Sequence, residues 1–499
     1  MFYCHDDPWR NISQLSHEEI LRIQNNKLYS FINQQLYPFS PYYRNLFDYH
    51  KINPRKIKSM HDLRCVPFIS KSDFIPSPTQ PEKFKDFILQ PDQETIRKYW
   101  PKDKVAQLAL RSILKGPERM REALGQEYRP VFMTFTTGTT NTPVSFLYSS
   151  YDVNNLGLYG SRMIRLFKIQ PTDRIVNIFP FAPHLAFWQV VFGGLSSSIF
   201  ILSTGGGKVL SSEGNINAIL KMKPSVILGV PSYIYHLLRL AQEKSCKMDF
   251  IKKVILGAAA VTEPFKQKLL SLLTAMGATD VSIFGTYGFT EARTAWAECP
   301  TTPGISSGYH LYPDKEIIEI IDPKTGEVKR EGEDGEIVYT SLDSRASSVI
   351  RFRTGDFVKG GVTYQPCPYC GRKVPRLSSQ ISRISDITGL QLSKIKGSLV
   401  NLDNFSAVLS EFEPIQEWQI EIRKKDNDAH EIDELIVFVA VKDHTDKCRL
   451  AEDLKKRILL CTEVSPNAIV FSSLPEIVKR LELETASKEK RILDSRPKA

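Results

Sequence analysis

From residue 174 onward, short β-rich runs alternate with amphipathic helical segments, and that alternation constrains the fold more than any other feature of the chain. The runs 174–179, 225–230, 253–256 and 281–284 read as strands. Segment 264–276 reads as a helix between the last two, with Thr262 as its N-cap and Gly277 at its end. Strand-helix-strand repetition builds a parallel sheet covered by helices, because a parallel return needs a crossover. Ligands of such sheets gather beyond the C-terminal strand ends, which is where this reading places 285–291.

The texture changes after residue 386. Segments 418–423, 434–442 and 468–472 read as strands and 446–460 as a helix packed on them. This is a small α+β domain of about 110 residues, with the polar stretch 378–386 as connector. At the other end, residues 16–50 carry apolar side chains at helical spacing and close on an aromatic-rich turn at 38–43. Residues 76–128 are charged and interrupted by prolines, and read as an irregular insertion with one helix near 105–114. The expected fold class is α/β: a large N-terminal domain of parallel-rich sheets covered by helices plus a β-rich subdomain, followed by the small α+β domain.

A chain of 499 residues with 42% apolar and 24% charged residues has an ordinary globular composition and the size to divide into domains. No run of about 18 apolar residues occurs, so no membrane span is expected. The N-terminus lacks both the basic and the apolar segment of a secretory leader, and the cytoplasm is the default location. The net charge of +10 comes from basic residues interleaved with acids, without an Arg-rich tail or a nucleic-acid motif. Nucleic acid is therefore not an expected partner, whereas a nucleotide or another anionic small molecule is. Eight cysteines are too sparse for a disulfide scaffold in a chain of this length.

Three motifs carry chemistry. After the apolar stretch 130–133 comes TTGTTNTPV, in which Thr136, Thr137, Gly138, Thr139 and Thr140 can wrap phosphate oxygens with backbone N–H and hydroxyl donors. It lacks the lysine that many phosphate loops carry, and a Thr-rich β-turn is the alternative reading. The second motif, Tyr287-Gly288-Phe289-Thr290-Glu291, combines a ring that can stack on a purine, a hydroxyl for a phosphate and a carboxylate for Mg²⁺. Its plainer reading is a buried tyrosine beside a helix cap. The third, Arg353-Thr354-Gly355-Asp356, follows the β-rich runs 336–340 and 349–352 and offers a carboxylate to ribose hydroxyls, or else is a charged hairpin turn.

In this order the three motifs resemble the adenylate-forming superfamily of acyl-CoA synthetases, adenylation domains and firefly-type luciferases. The segments QNNKLYSFINQQLYPFSPYYRNLF, DLRCVPFISKSDF, GVPSYIYHL and CPYCGRKVPRL resemble its phenylacetate-CoA ligase-like branch. The resemblance leaves the insertion at about 80–125 unexplained. It implies a large domain over 1–382, a hinge at 383–386 and a small mobile domain over 387–499. It assigns Thr136 to Thr140 to the ATP phosphates, Tyr287 and Gly288 to the adenine region, Thr290 to the α-phosphate, Glu291 to Mg²⁺ and Asp356 to the ribose. Arg383 matches the arginine before the hinge. Lys488, in Lys488-Glu-Lys-Arg491, takes the catalytic lysine position with Ser487 in place of the usual glycine; a solvated basic tail is the alternative, and Lys490 the fallback.

The resemblance further implies acyl-AMP formation from a carboxylic acid and ATP, then transfer to the thiol of coenzyme A. His184 and Gly257-Ala258-Ala259 fall where such enzymes build the acyl pocket, and the surrounding aromatic and small residues suit an aryl or apolar acid. Cys367-x-x-Cys370 has metal-ligand spacing, and Cys299 and His310 could complete a structural Zn²⁺ site of a kind that zinc-bearing members of the branch carry. Four unrelated reduced side chains are the alternative. Rival functions are acyl transfer to a protein thiol, such as a carrier, or to an amine, and a non-catalytic nucleotide-binding homologue. A homodimer is left open.

Overall fold

The strand-helix alternation becomes one large mixed sheet. In a computed structural model, described for residues 7–76, 80–136, 144–259, 261–302, 305–384, 392–395, 398–401, 405, 408–409, 412, 414–428, 431–481 and 491–497, the chain divides into two units. Met1–Thr136, Val144–Gly229 and Met248–Ile384 form the larger; Thr137–Pro143, Val230–Lys247 and Ser385–Ala499 form the smaller. Among the described residues no helix is long and apolar enough to cross a membrane.

In the larger unit, β1 (Pro130–Phe135) and β2 (Ser145–Ser149) form an antiparallel hairpin. β3 (Arg174–Asn177), β4 (Phe200–Ser203), β5 (Val226–Gly229), β6 (Lys253–Leu256) and β7 (Ser282–Phe289) then pair in parallel in the spatial order β4-β3-β5-β6-β7. The central strand β5 is buried along its whole length, as expected where both faces of a parallel sheet are covered. β8 (Thr294–Ala297) and β9 (Tyr309–His310) extend the sheet antiparallel beyond β7. A second sheet comprises β10 (Glu316–Ile321), β11 (Gly335–Ser341) and β12 (Phe352–Val358). β13 (Val362–Thr363) and β14 (Arg376–Leu377) close the large sheet at β9, and β15 (Ile381–Arg383) pairs antiparallel with β12.

The Ser150–Leu166 helix begins at a reciprocal cap between Ser149 and Asp152 and packs on the Leu185–Ser197 helix. They meet at glycines: a Cβ on Gly160 would lie 2.2 Å from the Cα of Gly193, so any larger residue would push the helices apart. Arg162 on the first helix is fully buried, pairing with Asp7 at 2.9 Å and Asp314 at 2.7 Å.

Several sequence expectations are corrected. The prolines near residues 101 and 117 do not break up the insertion. They stand at helix starts, where a missing N–H costs nothing, so the segment folds into the helices Gln93–Tyr99, Lys102–Lys115 and Pro117–Tyr128. Pro41 likewise opens the Pro41–Tyr49 helix where a turn was expected. Residues 285–289 lie inside β7, because that strand runs on past its parallel partner β6 to pair with β8. Residues 353–356 lie inside β12, with Gly355 at φ 72° and a register shift between Glu336 and Val338 of β11 opposite.

In the smaller unit, β16 (Leu392–Ile395) and β17 (Ser398–Asn401) form a hairpin. β18 (Ile415–Lys424) and β19 (Asp433–Val441) pair antiparallel, flanked in parallel by β20 (Ala468–Phe471) on β19 and β21 (Ile492–Asp494) on β18. Leu450, Leu454 and Ile458 of the Lys447–Thr462 helix share a core with Trp418, Ile420, Ile422, Val437 and Val439. The Pro231–Glu243 helix belongs to this unit, where its Tyr235 hydroxyl donates to Asp428 at 3.1 Å.

Candidate active site

The extension of β7 beyond β6 carries the second motif onto an edge shared with β8. Tyr287 stands opposite Trp296 there, and the two rings stack at 5.6 Å. The Tyr287 hydroxyl donates to Asp356 Oδ2 at 2.7 Å, while Arg383 Nε lies 3.0 Å from Oδ1 of the same carboxylate. The register makes this possible, since β12 and β15 pair Asp356 directly with Arg383. Arg383 is steadied by a bond from Nη1 to the Thr354 carbonyl oxygen at 3.1 Å. Burial, reinforced by the Asp356 carboxylate, pushes the Tyr287 phenol well above its ordinary value, so it remains a donor.

The turn after β7 holds Thr290 and Glu291, both half-buried. Arg293 closes it in a left-handed conformation, φ 58°, and its guanidinium lies 3.1 Å from Asp152. Asp152 also accepts from the backbone N–H of Arg345 at 3.0 Å and Ala346 at 2.7 Å. The helix cap at Asp152 therefore also braces this turn. Burial pushes the Glu291 carboxyl up, and Lys71 opposes it most strongly, with Arg383 adding to the opposition.

Lys71, whose charge acts on Glu291, is a residue that the sequence reading does not single out. Ile69 bridges in parallel to Phe352, and Arg353 N donates to the Ile69 carbonyl at 2.8 Å, so the 69–71 segment lies along the start of β12. A reciprocal cap between Ser70 and Asp73 then starts the single turn Lys71–Phe74. The signal in the sequence was the S-x-x-D spacing of that cap, which reads as a helix start and says nothing of a partner 220 positions away in the chain.

At the base of the Thr-rich loop, Thr136 N donates to the Val144 carbonyl at 3.0 Å and Val144 N donates to Thr136 Oγ1 at 3.1 Å. Thr137, Gly138, Thr139 and Thr140 lie outside the described residues. His184 Nδ1 lies 3.2 Å from the Phe135 carbonyl oxygen, which can only accept, so this nitrogen carries the proton. Phe135 N in turn donates to the Pro183 carbonyl at 2.8 Å, which ties the 183–184 segment to the loop base. Gly257 follows β6 beside Thr286 and Phe179: a Cβ there would lie 2.4 Å from Thr286 Oγ1 and 3.3 Å from Phe179. Ala258 follows at φ 64°, and Ala259 is half-buried. Gly288 faces Ala295 across the β7–β8 ladder.

Glu298, also missed, locks the start of the motif. It accepts from Gly285 N and Ser306 Oγ and pairs with Lys266 at 2.8 Å. Beside it, Cys299, His310, Cys367 and Cys370 bring their donor atoms within 4.8 Å of one another. Cys299 Sγ and Cys367 Sγ are 3.7 Å apart, and Cys370 Sγ lies 3.3 Å from His310 Nε2. His310 Nδ1 sits 3.3 Å from the Ala297 carbonyl oxygen, which fixes the proton there and leaves Nε2 turned to the thiols. A tetrahedron with Zn–S bonds of about 2.3 Å has S···S edges of about 3.8 Å, so the donor set and spacing fit a four-coordinate zinc ion.

Lys488, Ser487 and Lys490 lie outside the described residues, as do Ser385 and Asp386. Arg491 is described: its guanidinium pairs with Glu417 at 2.8 Å and lies 5.1 Å from the Trp418 ring, while its carbonyl accepts from Ile420 N at 2.8 Å. Arg491 thus fixes the start of β21.

Comparison with known proteins agrees with these motifs. The AMP-binding enzyme family model matches residues 70–342, more than half of the chain. The phenylacetate-coenzyme A ligase of Aromatoleum evansii is 25% identical over 98% of this chain and 97% of its own length. That of Escherichia coli (strain K12) is 22% identical over 92% and 93%. A crystal structure of 2-hydroxyisobutyryl-CoA ligase in complex with 2-HIB-AMP and CoA superposes with a TM-score of 0.76, 19% identity, and 98% and 92% coverage, a likeness of fold. The chain belongs to the AMP-binding enzymes, the adenylate-forming superfamily, on its phenylacetate-CoA ligase-like branch.

Proposed function

We propose that this protein is an AMP-forming acid–thiol ligase that activates an aryl or apolar carboxylic acid with ATP and passes the acyl group to coenzyme A. The observation that carries the reading is the arrangement around β7 and β12. Tyr287, Asp356 and Arg383 form one bonded group, and the Glu291 carboxyl stands in the field of Lys71 and Arg383, in a member of the AMP-binding family.

In the first half-reaction a carboxylate oxygen attacks the α-phosphorus and pyrophosphate leaves, giving acyl-AMP. Asp356 would hold the ribose through its carboxylate and Tyr287 would border the adenine. Thr290 and the 136–140 loop would bond phosphate oxygens. Glu291 offers the hard oxygen ligand that Mg²⁺ takes, and the bound ion would offset charge on the phosphates. Lys71 supplies a positive charge that the Thr-rich loop lacks, and Lys488 is the proposed catalytic lysine. Groups of this kind each contribute about 10²-fold to the rate. In the second half-reaction the thiol sulfur attacks the acyl carbon, its proton passes to solvent and AMP leaves. The pocket residues in this reading are His184, Gly257, Ala258 and Ala259, and the hinge is 383–386. The Cys299, His310, Cys367 and Cys370 cluster is proposed as a structural zinc site, because all four positions are filled by protein.

The test is an acid panel read by pyrophosphate release with hydroxylamine as acyl trap, with Lys488→Ala as control. Trapping requires adenylation but no natural acceptor, so it separates an enzyme from a nucleotide-binding scaffold. Adding coenzyme A, a carrier protein or an amine then separates the acceptors. Absence of pyrophosphate release with every acid would refute the ligase reading, and unchanged adenylation in Lys488→Ala would remove that residue's role.

A further inference from the structure

The insertion that the family resemblance leaves unexplained folds as a helical hairpin, Lys102–Lys115 followed by Pro117–Tyr128, with Gly116 at φ 88° between them. Not one residue of the first helix is buried. Lys104, Val105, Leu108 and Ser112 are the half-buried residues of this helix, which packs against the second. The opposite side is apolar too. Leu110, Ile113 and Leu114 stand at i, i+3 and i+4, one face of a helix, and are 57%, 81% and 74% exposed. Ala106 and Ala109 are exposed on the same side by the helical period, as is Asp103 in the first turn. Three large aliphatic side chains side by side in water are a different matter from scattered exposed ones, and call for a cover.

Charge decides between the candidate covers. Over 102–129 the basic residues are Lys102, Lys104, Arg111, Lys115, Arg119, Arg121 and Arg129, against Asp103, Glu118, Glu122 and Glu127. One of these acids is already engaged, since Glu127 pairs with Arg345 at 2.6 Å. Lys104, Arg111 and Lys115 flank the apolar stripe along one side by the helical period. A second copy of the hairpin would bring like charge against like charge, whereas an anionic surface attracts it. An amphipathic helix with aliphatic residues on one face and Lys and Arg along its flank lies flat in the headgroup region of an anionic bilayer. We propose that the 102–128 hairpin is a peripheral docking element for anionic membrane lipid. Leu110, Ile113 and Leu114 enter the acyl boundary, and the flanking cations contact the headgroups. The proposal is independent of the ligase reading, because none of these residues belongs to the candidate active site.

The experiment is co-sedimentation of the full-length protein with vesicles of phosphatidylcholine alone and of phosphatidylcholine mixed with phosphatidylglycerol. The expected result is partition onto the mixed vesicles, weakened by salt, and little onto the neutral ones. Ile113→Asp combined with Leu114→Asp should lower the partition by about tenfold or more, and Arg111→Glu with Lys115→Glu should do likewise through charge. These positions are exposed, so far-UV circular dichroism and the melting temperature should stay as in the parent protein. Equal partition onto both vesicle types, no partition at all, or partition untouched by either double variant would overturn the proposal. So would a dimer in sedimentation velocity that the Ile113→Asp, Leu114→Asp variant dissolves without any vesicle binding in the parent, since the cover would then be a second copy.

Discussion

Replacing Cys370 by alanine tests the proposed zinc site most directly. The cluster joins three separate places in the larger unit: Cys299 after β8, His310 in β9, and the turn between β13 and β14 that carries Cys367 and Cys370. The Cys299–Cys367 separation of 3.7 Å and the Cys370–His310 separation of 3.3 Å approximate the edges of one tetrahedron. Loss of one of four ligands should weaken zinc binding by at least the 10²-fold or so that loss of an outer-shell partner can cost. With free zinc held above the dissociation constant of both proteins, that factor equals about 2.7 kcal/mol of lost stability in the larger unit. For a unit of this size the melting temperature should fall by roughly 4 °C. The assay is zinc per chain by elemental analysis, paired with thermal unfolding in zinc-buffered solution, with Cys65→Ala at an exposed site as control. Zinc ligation requires deprotonated thiols, so retention should fall as the pH is lowered. Parent protein that purifies from zinc-supplemented medium with zinc well below one per chain would refute the reasoning. Zinc retention in Cys370→Ala equal to that of the parent would do the same.

Lys71→Ala should reduce adenylation by about 10²-fold and raise the concentration of Mg-ATP needed for half-maximal rate. Because Lys71 opposes the upward push of burial on Glu291, its loss should move the acid limb of the adenylation pH profile to higher pH. A uniform loss with the limb unmoved would separate Lys71 from Glu291. Asp356→Asn should weaken ATP binding by about tenfold to 10²-fold, as expected for a charged hydrogen bond to a sugar hydroxyl, with a smaller effect on trapping at saturating ATP. An unchanged requirement for ATP would remove the ribose role. Arg162→Met should destabilise the larger unit by about 3–5 kcal/mol, because it leaves Asp7 and Asp314 buried with less compensation. Burial alone would raise the Asp314 carboxyl, but Arg162, helped by Lys315 and Lys27, holds the group below its ordinary value. In the parent, that stabilisation is present above the unfolded carboxyl range and is lost as pH falls through the lowered folded value. In Arg162→Met the carboxyl should instead titrate high, so the deficit measured by denaturant unfolding should shrink toward acid pH; a deficit constant with pH would contradict the pairing.

Much of the framework was legible in the chain because it rests on local patterns. Residues 253–256 match β6 end for end, and Thr262 caps the Glu263–Ala275 helix by accepting from Phe265 N at 3.4 Å. In the smaller unit β18, β19 and β20 overlap the expected strands 418–423, 434–442 and 468–472, whereas β16, β17 and β21 are not among those expected. The misreadings were equally local in origin. Prolines suggest breaks in the insertion, yet Pro117 sits in the first turn of its helix, where no N–H bond is lost. The sequence places 285–291 beyond the end of a strand and 353–356 after a β-rich run, because neither segment by itself shows its partner strand. Pairing with β8 and β11 keeps both segments extended.

What the sequence by itself determined was the set of chemical groups and their order: hydroxyls, ring, carboxylates and thiols on a strand-helix framework, enough to point to the adenylate-forming class. What only the tertiary structure decided was which of them meet. Tyr287 finds Asp356 across 69 positions, and Asp356 finds Arg383, because β12 and β15 pair in one register and β7 overruns its neighbour. Lys71 comes under the influence of Glu291 because a single parallel bridge at Ile69 lays its segment along β12. Hydrophobic period and capping act over a few residues and can be read in order along the chain. Strand register and the burial that tunes a carboxyl arise only when distant segments exclude water together.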